Sequence, residues 1–207
     1  MLPIPDDTRE AARAVFAVQA AMAARGSHLA SAALAGAREF VEWEHYPHDD
    51  CIDRTHGTEF YYHAHDAARR AAAEHGHFHV FARHDDGHFW HLAGISLDNR
   101  GRATRLFTTN RWVTAEAWAP ATEMLPRLDA FALESRGRLA PVARWIQAMM
   151  RLYRPLIAEL MAERDAWLAG FPSAQREAAL DDRSVHIVSQ RPIDVFADLD
   201  RAISPSE

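Results

Sequence analysis

Cysteine is almost missing from this chain. Cys51 stands alone among 207 residues, which excludes an internal disulfide and makes a reducing cytoplasm the expected compartment. Basic charge is also in deficit. Lys and Arg together number 23 against 29 Asp and Glu, giving a net charge of −6 and a pI near 6.1. No broad basic field is available for nucleic acid, and Arg69-Arg70 is too small to supply one. Long apolar runs are absent too, since all fall short of the roughly 20 residues that cross a bilayer. The opening MLPIPDDTRE is acidic and lacks a signal-peptide core. With nucleic acid and membrane set aside, a small molecule is the expected partner, and a homodimer is compatible with the composition.

What the chain has is an ordinary globular balance, 48% hydrophobic and 25% charged, in a length that suits one domain. Histidine is the exception: of the 13, eleven lie between His45 and His91.

The densest stretch is HAHDAARRAAAEHGHFH, His63 to His79. Side chains alternate faces along a strand, so His75, His77 and His79 are expected on one side. Neutral imidazole is the commonest metal ligand, and several on one face form a metal site. The expected ligands are three or four of His63, His65, His75, His77 and His79, with Glu74 or Asp53 beside them. Such a mixed set fits a divalent transition metal, Zn or non-haem Fe. An open coordination position would make the site catalytic, either hydrolytic or oxygenase in type.

The rest of the chain frames this stretch. Asp6-Asp7-Thr8 offers N-caps to a helix through Ala11, Val15, Val18 and Met22, ended at Gly26. Ser27 or Ser31 can cap a second helix through Leu34, Phe40 and Trp43, giving a helical hairpin over 8–45. The polar segment HYPHDDCIDRTHG reads as a loop that folds over the site and lends Asp50 or Asp53 as ligand or base. EFYYHAH reads as strand or helix, and its aromatic run favours the strand. Asp66 to Glu74 is expected as a short helical connection.

The clearest element is a hairpin over 77–97, with Asp-Gly in its turn. Strict alternation would put His77, His79 and Phe81 on one face with Trp90, Leu92, Gly94 and Ser96. Phe78, Val80 and Ala82 would share the other with Phe89, His91, Ala93 and Ile95. Gly94 and Ser96 would leave room for an ion, and a half-exposed His77 could be removed without cost to the fold. A third strand, Ala103 to Asn110, ends at Asn110-Arg111, where no neighbouring carboxylate is in sight. Arg111 is therefore expected to hold a small anionic substrate, with Asn110 beside it. Thr114 can cap a helix through Met124 and Leu128. A long helix from Pro141 to Trp167 should kink near Pro155, and a strand SVHIVS and a helix from Ile193 to Ile203 close the chain.

The fold class is thus α+β: a small, mostly antiparallel sheet of three to five strands, covered by N- and C-terminal helices. The single domain 1–207 divides into the helical hairpin 8–45, the histidine-rich loop and sheet 46–113, and the helical part 114–207. The expected catalytic residues are Asp53, Asn110 and Arg111.

HYP…D…D, YYHAH, EHGHFHVF and LFTTNRWVT, in that order, resemble a family of uncharacterised bacterial proteins, a domain of unknown function. The resemblance covers roughly 40–193. It implies that the histidine block, with Asp50, Asp53, Asn110 and Arg111, belongs to the family's shared core, and it carries no activity.

Other readings compete. HGHFHVF is similar to the strand of histidine-triad nucleotide hydrolases and transferases, in which His77 would be the nucleophile and His75 and His79 its companions. Gly76 departs from that family's usual apolar position, and more than 120 residues follow where it has a short tail. The plainest alternative is a non-catalytic binding or scaffold module whose histidines are satisfied within the sheet. His91 and His186, each alone on an apolar face, read that way. Cys51 is no nucleophile, because Asp50 and Asp53 would raise its pKa.

Overall fold

A computed structural model describes residues 6–65, 73–84 and 86–203. The expected connection from Asp66 to Glu74 falls, up to residue 72, outside the described residues. Six strands form one antiparallel sheet in the order of the sequence: β1 (Tyr46–Asp53), β2 (Thr58–His63), β3 (Glu74–Arg83), β4 (Phe89–Asp98), β5 (Ala103–Thr109) and β6 (Ile187–Pro192). The α+β class and the central hairpin hold, while the expected three to five strands become six.

The additional strand is β1, which the polarity of HYPHDDC had marked as loop. An edge strand needs apolar residues only where it meets the core, and β1 buries Tyr46, Cys51 and Asp53 while His48 and Asp49 are exposed. A register shift between Tyr46 and Cys51, with Asp50 at positive φ, hides its alternation further. Segment 59–65 resolves as strand up to His63.

Of the expected N-terminal helical hairpin, the first arm stands as α1 (Asp6–Ala23). The second shrinks to α2 (Leu29–Ala33), capped by His28 and Ser31. Ala35, Gly36 and Trp43 take positive φ, which no helix tolerates. After the sheet, α3 (Arg111–Thr114) ends at left-handed Ala115, so Thr114 closes a turn rather than capping a helix. Then come α4 (Ala121–Asp129), α5 (Ala140–Leu152) and α6 (Arg154–Ala169). The long helix expected with a kink is fully broken at Tyr153. Pro155 has no N–H to donate and its ring crowds the carbonyl one turn back. Two short helices complete the chain, α7 (Arg176–Leu180) before β6 and α8 (Val195–Ile203) after it.

The register separates the two faces of the sheet. Tyr61 faces His79 and His63 faces His77, while Phe60 pairs Val80 and Tyr62 pairs Phe78. Ile95, Leu106, Phe60, Tyr62, Phe78 and Val80 thus make the apolar face, all fully buried. Helix α5 covers them, with Trp145 meeting Phe78 at a ring separation of 5.9 Å. Each such phenylalanine contributes about 1.5–3 kcal/mol on burial. Helix α1 lies outside α5, and α6 packs against β4, β5 and β6. The opposite face carries the histidines.

Candidate metal centre

Two bulges decide which side chains reach this face. In β3 the register shifts between Glu74 and Gly76. Glu74 consequently reaches His77, while His75 turns away: its Nδ1 lies 2.7 Å from the Tyr62 hydroxyl and its ring 5.0 Å from that of Phe40. The expected trio of His75, His77 and His79 on one face is therefore wrong at its first member. Gly76 fits there because a Cβ would lie 2.5 Å from the His63 carbonyl oxygen and 2.7 Å from the Tyr62 hydroxyl.

In β4 the shift falls at Leu92, between the pairs Val80↔Ala93 and Phe81↔His91. His77↔Ser96, His79↔Gly94, Phe78↔Ile95 and Val80↔Ala93 are the pairs, and each joins residues expected on one face. Beyond Leu92 the alternation inverts, and His91 joins the histidines instead of the apolar face. Its backbone N–H donates to Glu116 Oε2 at 2.6 Å, which pins the bulge. Burial raises the Glu116 carboxyl to about 7, against the pull of the Arg164 charge and the His91 bond.

At the centre, His63 Nε2 lies 2.8 Å from His77 Nε2 and 3.2 Å from His79 Nε2. The ligand atoms of His63, His65 and His77 all lie within 4.8 Å of one another. The other ring nitrogens are anchored. His77 Nδ1 is 2.8 Å from Glu74 Oε1, His79 Nδ1 is 2.9 Å from His91 Nε2, and His91 Nδ1 is 3.1 Å from Thr109 Oγ1. Proton accounting then assigns the tautomers. A carboxylate only accepts, so His77 donates from Nδ1 and its Nε2 carries a lone pair. His63 Nε2 must then hold the proton between them, and His79 Nε2 must also be bare. His79 donates from Nδ1 to His91, and His91 from Nδ1 to Thr109. In this pattern His77 and His79 both aim lone pairs at one point, where a single proton on His63 sits.

Burial keeps three of these rings, His63, His79 and His91, neutral. Desolvation, reinforced by the neighbouring imidazoles, takes His63 down to about 2 and His79 well below its ordinary value. His91 falls to about 3, from burial and then the Arg164 charge. Burial pushes the Glu74 carboxyl up, but the His77 and Ser96 bonds and the Arg105 charge outweigh it and hold it at about 2. Arg105 donates to Glu74 Oε2 at 2.6 Å, to Ser96 Oγ at 3.1 Å and to Gln190 Oε1 at 2.8 Å. Glu74 is thus spent on His77 and Arg105, an orienting partner rather than a ligand.

His65, His77 and His79 open onto a cavity of about 670 Å³. Phe107, Val113, Val185 and Ile187 give it apolar walls, and Thr109, Ser184 and His186 add polar groups. The space beside Gly94 is not an ion site, since the Phe107 ring fills it: a Cβ on Gly94 would meet that ring at 2.1 Å.

The model of the family described as Domain of unknown function (DUF6969) matches residues 9–193. The chain belongs to this family. No curated protein matches it, and no solved structure does. The DUF6969 match bears out the resemblance read from the motifs and extends it at the N-terminal side, from 40 to residue 9.

The remaining expected site residues of this DUF6969 chain are placed elsewhere. Arg111 finds the carboxylates that its sequence neighbours lack, donating to Glu177 and Asp181 at 2.9 Å each. It is not among the cavity's lining residues. Both partners lie in or next to α7, more than 60 residues on, so no local reading could foresee them. Asn110 is buried as a cap, accepting from Arg111 N–H and donating to Ala179 O. Asp53 accepts from the backbone N–H groups of Thr55, His56 and Glu134 and pairs with the His56 ring at 2.7 Å. Burial alone would raise its pKa, but these four bonds prevail and lower it. It ties the β1–β2 turn to the segment before α5. Asp50 pairs with His45, whose ring stacks on Tyr61. Burial, more than Asp53, raises the Cys51 thiol, which donates to Ser135. With His75 turned away, a histidine-triad nucleophile flanked by His75 and His79 is not assembled.

His91, Glu116, Arg105 and His186 were not foreseen from the sequence, whereas Thr109, expected in a pocket wall after the third strand, does line the cavity. His91 and His186 were read as isolated. The signal for His91 lay in histidine density alone, because the bulge that turns it has no local signature. Residues 184–187 arrive from far along the chain, hung on Asn110 N–H to His186 O at 3.0 Å and Trp112 Nε1 to Val185 O at 2.9 Å.

Proposed function

We propose that the histidine face binds one divalent transition-metal ion through His63, His77 and His79, with His65 at the open side, and that this centre acts on a small molecule held in the adjoining cavity. One observation carries the reading: the Nε2 atoms of His77 and His79 lie 2.8 and 3.2 Å from that of His63. Two ligands about 2.0–2.1 Å from one ion, at angles between octahedral and tetrahedral, lie about 2.9–3.4 Å apart. Both separations from His63 match an edge of such a polyhedron, and an ion would take the place of the Nε2 proton, which His63 would then carry on Nδ1.

The surroundings favour the same reading. Metal-bound histidines commonly give their second nitrogen to a carboxylate or another acceptor, as His77 does to Glu74 and His79 to His91. Burial holds the His63 and His79 rings in the neutral, ligating form. An all-imidazole set is neutral, so the ion keeps its full charge and is a strong Lewis acid, suited to activating water if Zn or to oxygen chemistry if Fe. A structural site closes with four protein ligands, whereas this one has a cavity beside it. That supports an enzyme. A non-catalytic role for the same histidines is the competing reading, and ligand count separates the two.

The test is elemental analysis of protein made without a histidine tag and reconstituted anaerobically with Zn(II) or Fe(II). About one ion per chain is expected, lost in His63→Ala and His79→Ala and retained in His75→Ala. Loading below about 0.2 per chain with either metal would remove the proposal.

A further inference from the structure

We infer that the cavity beside the histidines takes a small monoanionic carboxylate with an apolar body, its head on the metal and one carboxylate oxygen on His186. The inference rests on the metal reading above and names the ligand class of that site.

Charge comes first. Only two charged side chains appear among the described residues that line the cavity, Glu74 and Arg105, and they are paired with each other at 2.6 Å. Arg105 also donates from Nε to Ser96 and from Nη1 to Gln190, so its charge is matched by Glu74 and its head is held in place. The lining therefore supplies no free guanidinium to hold a second negative charge, and no free carboxylate to hold an amine. The ion, ligated by neutral imidazoles, would be the one unbalanced charge facing the cavity. It favours a single anionic oxygen donor.

Shape and polarity come next. Phe107, Val113, Val185 and Ile187 form walls that reward apolar surface, and about 670 Å³ suits a molecule larger than acetate. His186 is the exception on that wall. Its ring leans edge-on against Trp112 at 4.6 Å and finds no hydrogen-bond partner among the described residues. Its backbone carbonyl accepts from Asn110 N–H, which fixes it beside the end of β5. A half-buried imidazole with an unspent nitrogen, lining the same cavity as His77 and His79, could donate to the second oxygen of a metal-bound carboxylate.

The experiment uses full-length protein loaded with Co(II), whose visible bands report on the metal's ligands. Benzoate, acetate, succinate and inorganic phosphate serve as probes. Benzoate is expected to shift the bands with an affinity at least about tenfold above acetate and above both dianions. Val113→Trp, or Val185→Phe should that variant not fold, is expected to bring benzoate down to the level of acetate while Co(II) is retained. His186→Phe is expected to weaken both monocarboxylates about three- to tenfold with Co(II) content unchanged. Phosphate or succinate binding as tightly as benzoate would overturn the ligand class, as would an unchanged benzoate-to-acetate ratio in the filled cavity. In those cases the metal reading survives. Failure to retain Co(II) would instead overturn the metal reading, and this inference with it.

Discussion

His77 joins the ion site to its support, with Nε2 toward His63 and Nδ1 on Glu74. Only 4% of it is exposed, so the half-exposed ligand expected from alternation does not exist. Removing the ring would strip one partner from a buried carboxylate and open a hole in the sheet face. His77→Ala is therefore expected to destabilise the metal-free protein by about 1–3 kcal/mol, as well as to abolish metal loading. Urea denaturation in the presence of a chelator measures this, and coincident curves would refute it. The histidines of the proposed site were legible in the sequence, but their supports were not. His63, His77 and His79 stood out by density and spacing. Arg111 misled because an ion pair to Glu177 and Asp181 is invisible to a reading of its neighbours.

Strands were legible where alternation was clean. The β3–β4 hairpin follows from alternation and its Asp-Gly turn, and period two puts His77 and His79 on the face of Gly94 and Ser96. Bulges were not legible, because one extra residue inverts everything beyond it and leaves little mark on composition. The shift at Leu92 brings His91 in, and the shift after Glu74 sends His75 out. Gly76 is the point at which the second can be tested. Its missing Cβ would meet the His63 carbonyl, a backbone atom that cannot swing aside. Gly76→Ala is expected to cost at least the usual 1–3 kcal/mol of overpacking, about 3 kcal/mol or more, and to disturb His63. Equal thermal stability of variant and parent would show that the bulge is not as tight as described. Helix limits behaved differently again: positive φ at Ala35, Gly36 and Trp43 shortened the second helix, and only one of the three is glycine.

For the molecule as a whole, one face of the sheet is given to packing and the other to titratable groups. Among the described residues no helix is long and apolar enough to cross a membrane. The cost of the second face appears in acid. His63, His79 and His91 have folded pKa values far below the ordinary 6.5, so the unfolded chain takes up three protons that the folded one refuses. Glu116 acts in the opposite sense, binding a proton up to about 7 when folded but only to about 4.5 when unfolded. Between roughly pH 4.5 and 6.5 the unfolded state thus holds about two more protons, and metal-free stability should fall by about 3 kcal/mol per pH unit as pH drops. That stability is fully present above pH 6.5. Urea midpoints at pH 7.5, 6.5 and 5.5 measure the slope, and a flat profile would contradict the burial of neutral imidazoles.

The proposed centre is three convergent imidazoles sharing one ion, with a position left open. X-ray absorption at the metal edge of the reconstituted protein tests it most directly, because it counts ligands and identifies rings by their multiple scattering. Three imidazole nitrogens at about 2.0–2.1 Å, completed by one or more exchangeable oxygens, are expected. A shell of four imidazoles with no exchangeable oxygen would mark a closed structural site and end the case for an enzyme. A shell of oxygens without imidazole scattering would contradict the histidine centre itself.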